Sequence, residues 1–235
     1  MTKWMTWALV LATSTLVTGC RKEFRGSGNY TTETRVVANF NQITSSGDFE
    51  VILITDPVSR VILHGEDNIL PEVITEVLGN ELKIYYDHHH YNYDHNGITI
   101  TVYSPDFKKI ELEGSGKITC ADTLHSNLDI NLSGSGKMEL TVNSVFAKTT
   151  ISGSGNVTLY GASQTANHTI SGSGKLNAFI LVCNNVNATI SGSGTCKVYA
   201  ISYLDATISG SGEVIYLGNP QITTHISGSG KVKPG

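Results

Sequence analysis

The chain has 235 residues, 15% of them charged, and a formal net charge of −4. That balance suits a single folded unit and gives no broad positive field for nucleic acid, so nucleic acid is not an expected partner. Glycine is frequent at 24 residues, but most of it recurs at regular intervals, which argues for repetitive structure and against disorder.

The first 20 residues are a targeting segment. Lys3 supplies a positive start, Trp4 to Val17 form an apolar run too short to span a bilayer comfortably, and Val17-Thr18-Gly19-Cys20 ends it with small residues. That ending resembles a bacterial lipoprotein signal, which implies cleavage after residue 19 and a lipid on Cys20 that binds the membrane; an ordinary cleaved signal or an anchor helix is the alternative. Residues 20–35 are polar, carry Gly26-Ser27-Gly28, lack apolar periodicity and read as a flexible tether.

Residues 36–111 are rich in Val, Ile, Thr and Tyr. Period-2 runs such as Phe49, Val51, Leu53 and Ile98, Ile100, Val102 predict strands. The stretch Glu72 to Leu78 also suits a helix, but Gly79-Asn80 turns directly into the alternating Leu82 and Ile84, so a strand and hairpin are expected. Between Tyr86 and Gly97 lies Asp87-His88-His89-His90-Tyr91-Asn92-Tyr93-Asp94-His95-Asn96. His88, His90, Asp94 and His95 are the candidate metal ligands of the chain, set against a reading of the same loop as a solvated hairpin tip. Tyr85, Tyr86, Tyr91 and Tyr93 are candidates for a sugar-stacking or protein-contact patch.

Residues 112–235 are organised by a repeat. Gly-Ser-Gly occurs seven times, with first glycines at 114, 134, 153, 172, 192, 210 and 228, and five copies read Ile-Ser-Gly-Ser-Gly. A unit of about 19 residues cannot bury a face alone, so the units must stack. Two residues before the first Gly stand Leu112, Leu132, Ile151, Ile170, Ile190, Ile208 and Ile226; four after it stand Ile118, Met138, Val157, Leu176, Cys196, Val214 and Val232. With alternation running through the motif, these columns and both glycines face inward and the serines outward. The predicted fold is all-β, a single-stranded parallel β-helix with strands stacked at about 4.8 Å, so that seven rungs span on the order of 30 Å. Ile43 to Val51 reads as a degenerate first rung, with Ser45 in place of the first Gly and Phe49 and Val51 inward. Residues 52–110 then elaborate and cover the N-terminal end, while Lys231, Lys233 and Pro234 blunt the other edge.

Cys120, Cys183 and Cys196 are the remaining cysteines. Cys120 and Cys196 occupy apolar columns and read as small core residues, with no disulfide assigned.

These features resemble the head GIN domain family of bacterial adhesin-like proteins. The likeness is carried by Ser45-Ser46-Gly47-Asp48-Phe49-Glu50-Val51, Glu81-Leu82-Lys83-Ile84, Ile98 to Val102 with Tyr103-Ser104-Pro105, and the serial Ser-Gly-Ser-Gly copies, over residues 36–235. It implies a parallel β-helix shaped like pectin lyase, on exported, often lipid-anchored proteins of adhesive role with no associated catalytic residues.

Motifs of chemistry fare poorly by comparison. Lys117, Lys137, Lys175 and Lys231 follow Gly-Ser-Gly but precede strands and lack the following Ser/Thr of a phosphate loop. The repeated serines have no recurring His and Asp beside them. A glycan-active β-helix enzyme would need clustered carboxylates, and Glu113, Asp122, Asp129, Glu139, Asp205 and Glu213 fall at scattered offsets, no two in one column. The outward Ser152, Ser154, Ser171, Ser173 and the column Thr150, Thr169, Thr189, Thr207 form a candidate binding ladder for a surface glycan or protein. The expected function is non-enzymatic and cofactor-free, an envelope protein acting in adhesion or interaction; a glycan-active enzyme or a metal-binding envelope protein is the alternative.

Overall fold

The computed structural model describes residues 22–87 and 91–235. It is a parallel β-solenoid, in agreement with the expected class. Within the repeat most of a turn is one continuous strand, such as Lys137–Gly153, Asn156–Gly172, Lys175–Gly192 and Thr195–Gly210, and the break between turns falls in the Gly-Ser-Gly motif. Two walls meet at that corner. The first wall holds the residues leading into the motif, from Gln42–Gly47 and Lys109–Gly114 to Gln221–Gly228; the second holds the residues leaving it, from Glu50–Thr55 to Lys231–Pro234.

The ladder is in register at every Gly-Ser-Gly copy: Gly134 pairs with Gly153, Gly153 with Gly172, Gly172 with Gly192 and Gly192 with Gly210. Ile151, Ile170, Ile190 and Ile208 stack in one buried column, as alternation predicts. Backbone bonding continues through the corner, where the Ser173 N–H donates to the Gly153 carbonyl at 2.9 Å and the Lys175 N–H to the Gly155 carbonyl at 3.0 Å.

The two glycines of the motif differ, which alternation alone does not reveal. The first makes the corner, with φ between +116° and +126° in all seven copies. It is not buried, because the turn carries it out of the wall. The second is buried in every copy but the last, and from Gly136 onward a Cβ there would meet the apolar side chain of the rung below: 2.5 Å from Ile151 Cγ2 at Gly174 and 2.6 Å from Ile170 Cγ2 at Gly194. Bulky Ile thus packs onto the bare backbone of the next turn.

Two further rungs extend the stack at the N-terminal end, and their spatial order departs from chain order. Strands Gln42–Gly47 and Glu50–Thr55 lie against the first Gly-Ser-Gly rung, and Glu81–Tyr86 with Thr99–Ser104 stacks outside them. The register of the degenerate rung is shifted by two from the expected one. Gly47, not Ser45, pairs with Gly114, Ser45 takes the Leu112 column and Phe49 stands opposite Gly116. A two-residue slip keeps every side chain on its face, so only the corner geometry decides it, and Gly47 has the positive φ of +149°.

Beyond these rungs the sheet closes with antiparallel strands. Val73–Leu78 pairs with Glu81–Tyr86 as the expected hairpin, and Arg60–Glu66 runs against Thr99–Ser104, covered in turn by Tyr30–Val36. Ile69 and Leu70, the latter opening a 3₁₀ turn at Leu70–Glu72, plug the core end. Residues 22–36 are therefore not a free tether. Lys22–Arg25 pairs in parallel with Tyr91–Asp94, and the Arg35 guanidinium donates to the carbonyls of Leu70 and Val73. Tyr30–Val36 is largely solvent-facing on both sides, so it carries no apolar alternation although its β-branched threonines favour the strand.

At the opposite end Ile226 keeps its place in the column but is 45% exposed, since none of the described residues stacks beyond it.

Candidate functional site

The outward columns of the first wall form as expected. Thr150, Thr169, Thr189 and Thr207 pair one with the next, extended by His225, and Ser152 and Ser171 run beside them with Ser191 and Ser209. Ser154 and Ser173 sit at the corner, exposed, in a second serine line. One column further from the corner the wall carries Asp129, Lys148, Asn167, Asn187 and Asp205. Asp129 and Asp205 thus do share a column, contrary to expectation, but three rungs separate them. Asp129 is ion-paired with Lys148 at 3.3 Å, and Asn187 Nδ2 donates to Asn167 Oδ1 at 2.7 Å. The column has hydrogen-bonding capacity without the adjacent carboxylate pair that glycoside hydrolysis uses.

The candidate metal ligands divide. His88 and His90 lie outside the described residues. Asp94 faces the Arg25 guanidinium, 3.3 Å from Nε, whereas His95 turns inward with only 3% of its side chain exposed. His95 Nε2 lies 2.7 Å from the Tyr86 hydroxyl and 3.5 Å from Asp48 Oδ2, and Nδ1 accepts from the Gly97 N–H at 2.9 Å. The Tyr86 hydroxyl also reaches Asp48 Oδ1 at 2.9 Å. The contact with Asp48 raises the His95 pKa, and the same contact lowers that of Asp48. Burial first, then Asp48, raises the Tyr86 phenol. Tyr86 stacks on Tyr93 with ring centroids 4.2 Å apart and meets Phe49 in a tilted contact at 4.6 Å. Among the described residues no group of three or more His, Cys, Asp or Glu is placed to hold a metal. The cluster fastens the strand Tyr91–Asp94 and the turn that follows it to the cap; its tyrosines Tyr86 and Tyr93 stack on each other.

The three cysteines of the described chain are free thiols. Cys183 and Cys196 are buried and Cys120 is half-buried against the core; burial pushes Cys196 up to about 12 and Cys120 and Cys183 up to about 11, away from thiolate character. Cys20 lies outside the described residues.

Two features were missed from sequence. His168 is buried in the inward column between Thr149 and Ala188, with neither ring nitrogen partnered by protein, and burial pushes it down to about 4. The alternation of Asn167, His168, Thr169 already placed it inward. The second is the outward face of the second wall, where the lysines weighed above only as phosphate-loop residues line up across rungs.

Against known proteins, residues 39–220 match the family model described as "Putative auto-transporter adhesin, head GIN domain". Among solved structures, a putative adhesin from Bacteroides fragilis is similar with a TM-score of 0.85 at 25% identity, over 90% of this chain and 99% of that one. A putative lipid binding protein and a putative adhesin, both from Parabacteroides distasonis, share the fold with TM-scores of 0.76 at 24% and 22% identity, each over 91% of this chain and 100% of theirs. No curated protein matches the sequence. The family model spans well over half of the chain and includes the cap and most of the repeat, and the chain belongs to the head GIN domain family of adhesin-like proteins.

Proposed function

We propose that the protein is a lipid-anchored, non-catalytic rod of the cell envelope, exposed at the outer membrane or cell surface, that acts in adhesion. In this reading residues 1–19 are a leader, Cys20 carries the lipid, 36–111 cap the solenoid and 112–235 present the repetitive surface. The observation that carries it is the unbroken register of outward Thr and Ser across successive rungs, Thr150 to Thr207 and Ser152 to Ser209. Such a surface repeats the same hydroxyl pair over four successive turns, which suits multivalent contact with an extended glycan or protein and gives no single point at which a reacting bond would be held. Membership in a family of adhesin-like proteins supports the same reading.

The test has two parts. Cys20→Ala should abolish lipid attachment and move the protein out of the membrane fraction, and an unchanged fraction removes the anchor. Cells carrying the protein should adhere to glycan- or protein-coated surfaces better than cells lacking it, while the purified chain turns over no envelope or plant polysaccharide with or without calcium. Saturable turnover that disappears on replacing Asp122 or Asp205 would make the solenoid an enzyme scaffold instead.

A further inference from the structure

The basic side chains are distributed unevenly between the two walls. Arg25, Arg35, Arg60, Lys83, Lys108, Lys109, Lys148 and Lys233 each have a carboxylate within ion-pairing distance. Among the described residues Lys117, Lys137, Lys175, Lys197 and Lys231 have none, and all five stand outward on the second wall. They occupy two adjacent columns. Lys117, Lys137, Asn156, Lys175, Thr195, Glu213 and Lys231 make one; Thr119, Glu139, Thr158, Asn177, Lys197, Ile215 and Lys233 make the other. A chain of net charge −4 thus keeps, on one face, a stripe in which lysines outnumber the two glutamates, Glu139 and Glu213.

The stripe has a concave centre. Asn156, Thr158, Lys175, Asn177, Thr195 and Lys197, from three consecutive rungs, line with Val157 and Leu176 a shallow depression of about 250 Å³ that no carboxylate lines. Two residues further along the same strands and on the same face, Tyr160 and Tyr199 present partly exposed rings. Two ammonium groups, two carboxamides able both to donate and to accept, two hydroxyls and flanking aromatic faces are the complement of a pyranose bearing an acidic substituent. Chemistry repeated along an axis further suits a chain ligand over a single sugar.

The geometry points to a binding site for an acidic polysaccharide, bearing uronate or sulfate groups, along the second wall at Lys175 and Lys197. It rests on the adhesion reading and adds to the hydroxyl ladder of the first wall a second contact face with its own ligand class. The hydroxyl ladder of the first wall lies on a different face and lacks cations free of a carboxylate, whereas Lys175 has none beside it and Lys197 meets only the Phe179 ring, 5.6 Å from its centroid. A flat anionic membrane would satisfy the lysines but leave unused the depression between them and the carboxamides of Asn156 and Asn177 that line it, which favours the glycan.

The experiment measures binding of the full chain to oligogalacturonate, to chondroitin sulfate and to fully methyl-esterified oligogalacturonate, which keeps the backbone and loses the charge. At least one acidic ligand should bind, weakening as salt rises, and the ester about tenfold less. Lys175→Ala with Lys197→Ala should weaken binding about tenfold or more with an unchanged thermal midpoint, the corresponding Arg pair should retain it, and Lys148→Ala, on the other wall, should change nothing. Tyr199→Ala should weaken binding where Tyr199→Phe does not. Equal binding by the Ala pair, equal binding of the ester, or binding only to phosphatidylglycerol vesicles overturns the site. Cell adhesion that survives the Ala pair overturns the part of this site in adhesion while leaving adhesion by the first wall standing; absence of adhesion by the parent chain refutes the adhesion reading itself.

Discussion

His168 should make the solenoid acid-sensitive. It is 2% exposed, and neither ring nitrogen has a partner in the protein, so the folded state holds it neutral with a pKa near 4, against about 6.5 in the unfolded chain. Between those values the unfolded chain binds one more proton than the folded one, so stability falls as pH drops from 6.5 towards 4. A difference of about 2.5 pH units at about 1.36 kcal/mol each gives a loss of about 3 kcal/mol over that window. His168→Leu removes the titration and two unpartnered nitrogens at similar volume, so it should be within about 1 kcal/mol of the parent at pH 7.5. It should then gain about 3 kcal/mol relative to the parent by pH 4. The difference between the two proteins cancels the other groups, including Asp48, whose lowered pKa also removes stability at acid pH, and His95, whose raised pKa acts with the opposite sign. Both tryptophans, Trp4 and Trp7, precede the described residues, so urea unfolding is best followed by circular dichroism. Parallel pH profiles for parent and variant, or a ring titration midpoint near 6.5 by NMR, would show that His168 is solvated and refute the reasoning.

Two predictions probe the ladder itself. Ile170→Asp places a carboxylate in a fully packed column and should cost about 4 kcal/mol or more, read as a large fall in the urea midpoint; a parent-like midpoint would show the column is not interior. Gly192→Ala and Gly194→Ala should each cost about 1–3 kcal/mol by different routes, the first through its φ of +126° and the Gly172 carbonyl 2.5 Å from the new Cβ, the second by displacing Ile170; Gly79→Ala, strained only in φ at +64°, should cost less than Gly192→Ala.

Legibility in the sequence followed the two periods. Alternation put Ile170 inside and Thr169 outside, and the spacing of about 19 residues put Ile170 under Ile190, because both periods are properties of one strand and its translation. What escaped depended on relations those periods do not encode. The corner at Gly47 could not be told from one at Ser45, since both registers bury the same faces. Tyr30–Val36 was hidden because a strand with neither face in the core shows no alternation. The placement of rung 81–104 outside rung 42–55 is a matter of connection, which composition does not constrain. Of the candidate site, the Thr and Ser columns were legible as an alignment. The lysine stripe was not, because a paired and an unpaired lysine look alike until the carboxylate one turn away is placed, as Asp129 is beside Lys148.

The continuous strands also set how the molecule would carry force. Their backbone hydrogen bonds lie along the solenoid axis, from one turn to the next, with none of the rungs tied by a disulfide among the described residues. Tension along the axis therefore loads the turns in series, and the outermost turn, Gln221–Gly228 with Lys231–Pro234, would peel first while the remainder stays folded. Load spread across a wall is shared by several turns in parallel. A contact made along the flank would accordingly hold against a pull that a contact at the tip would not.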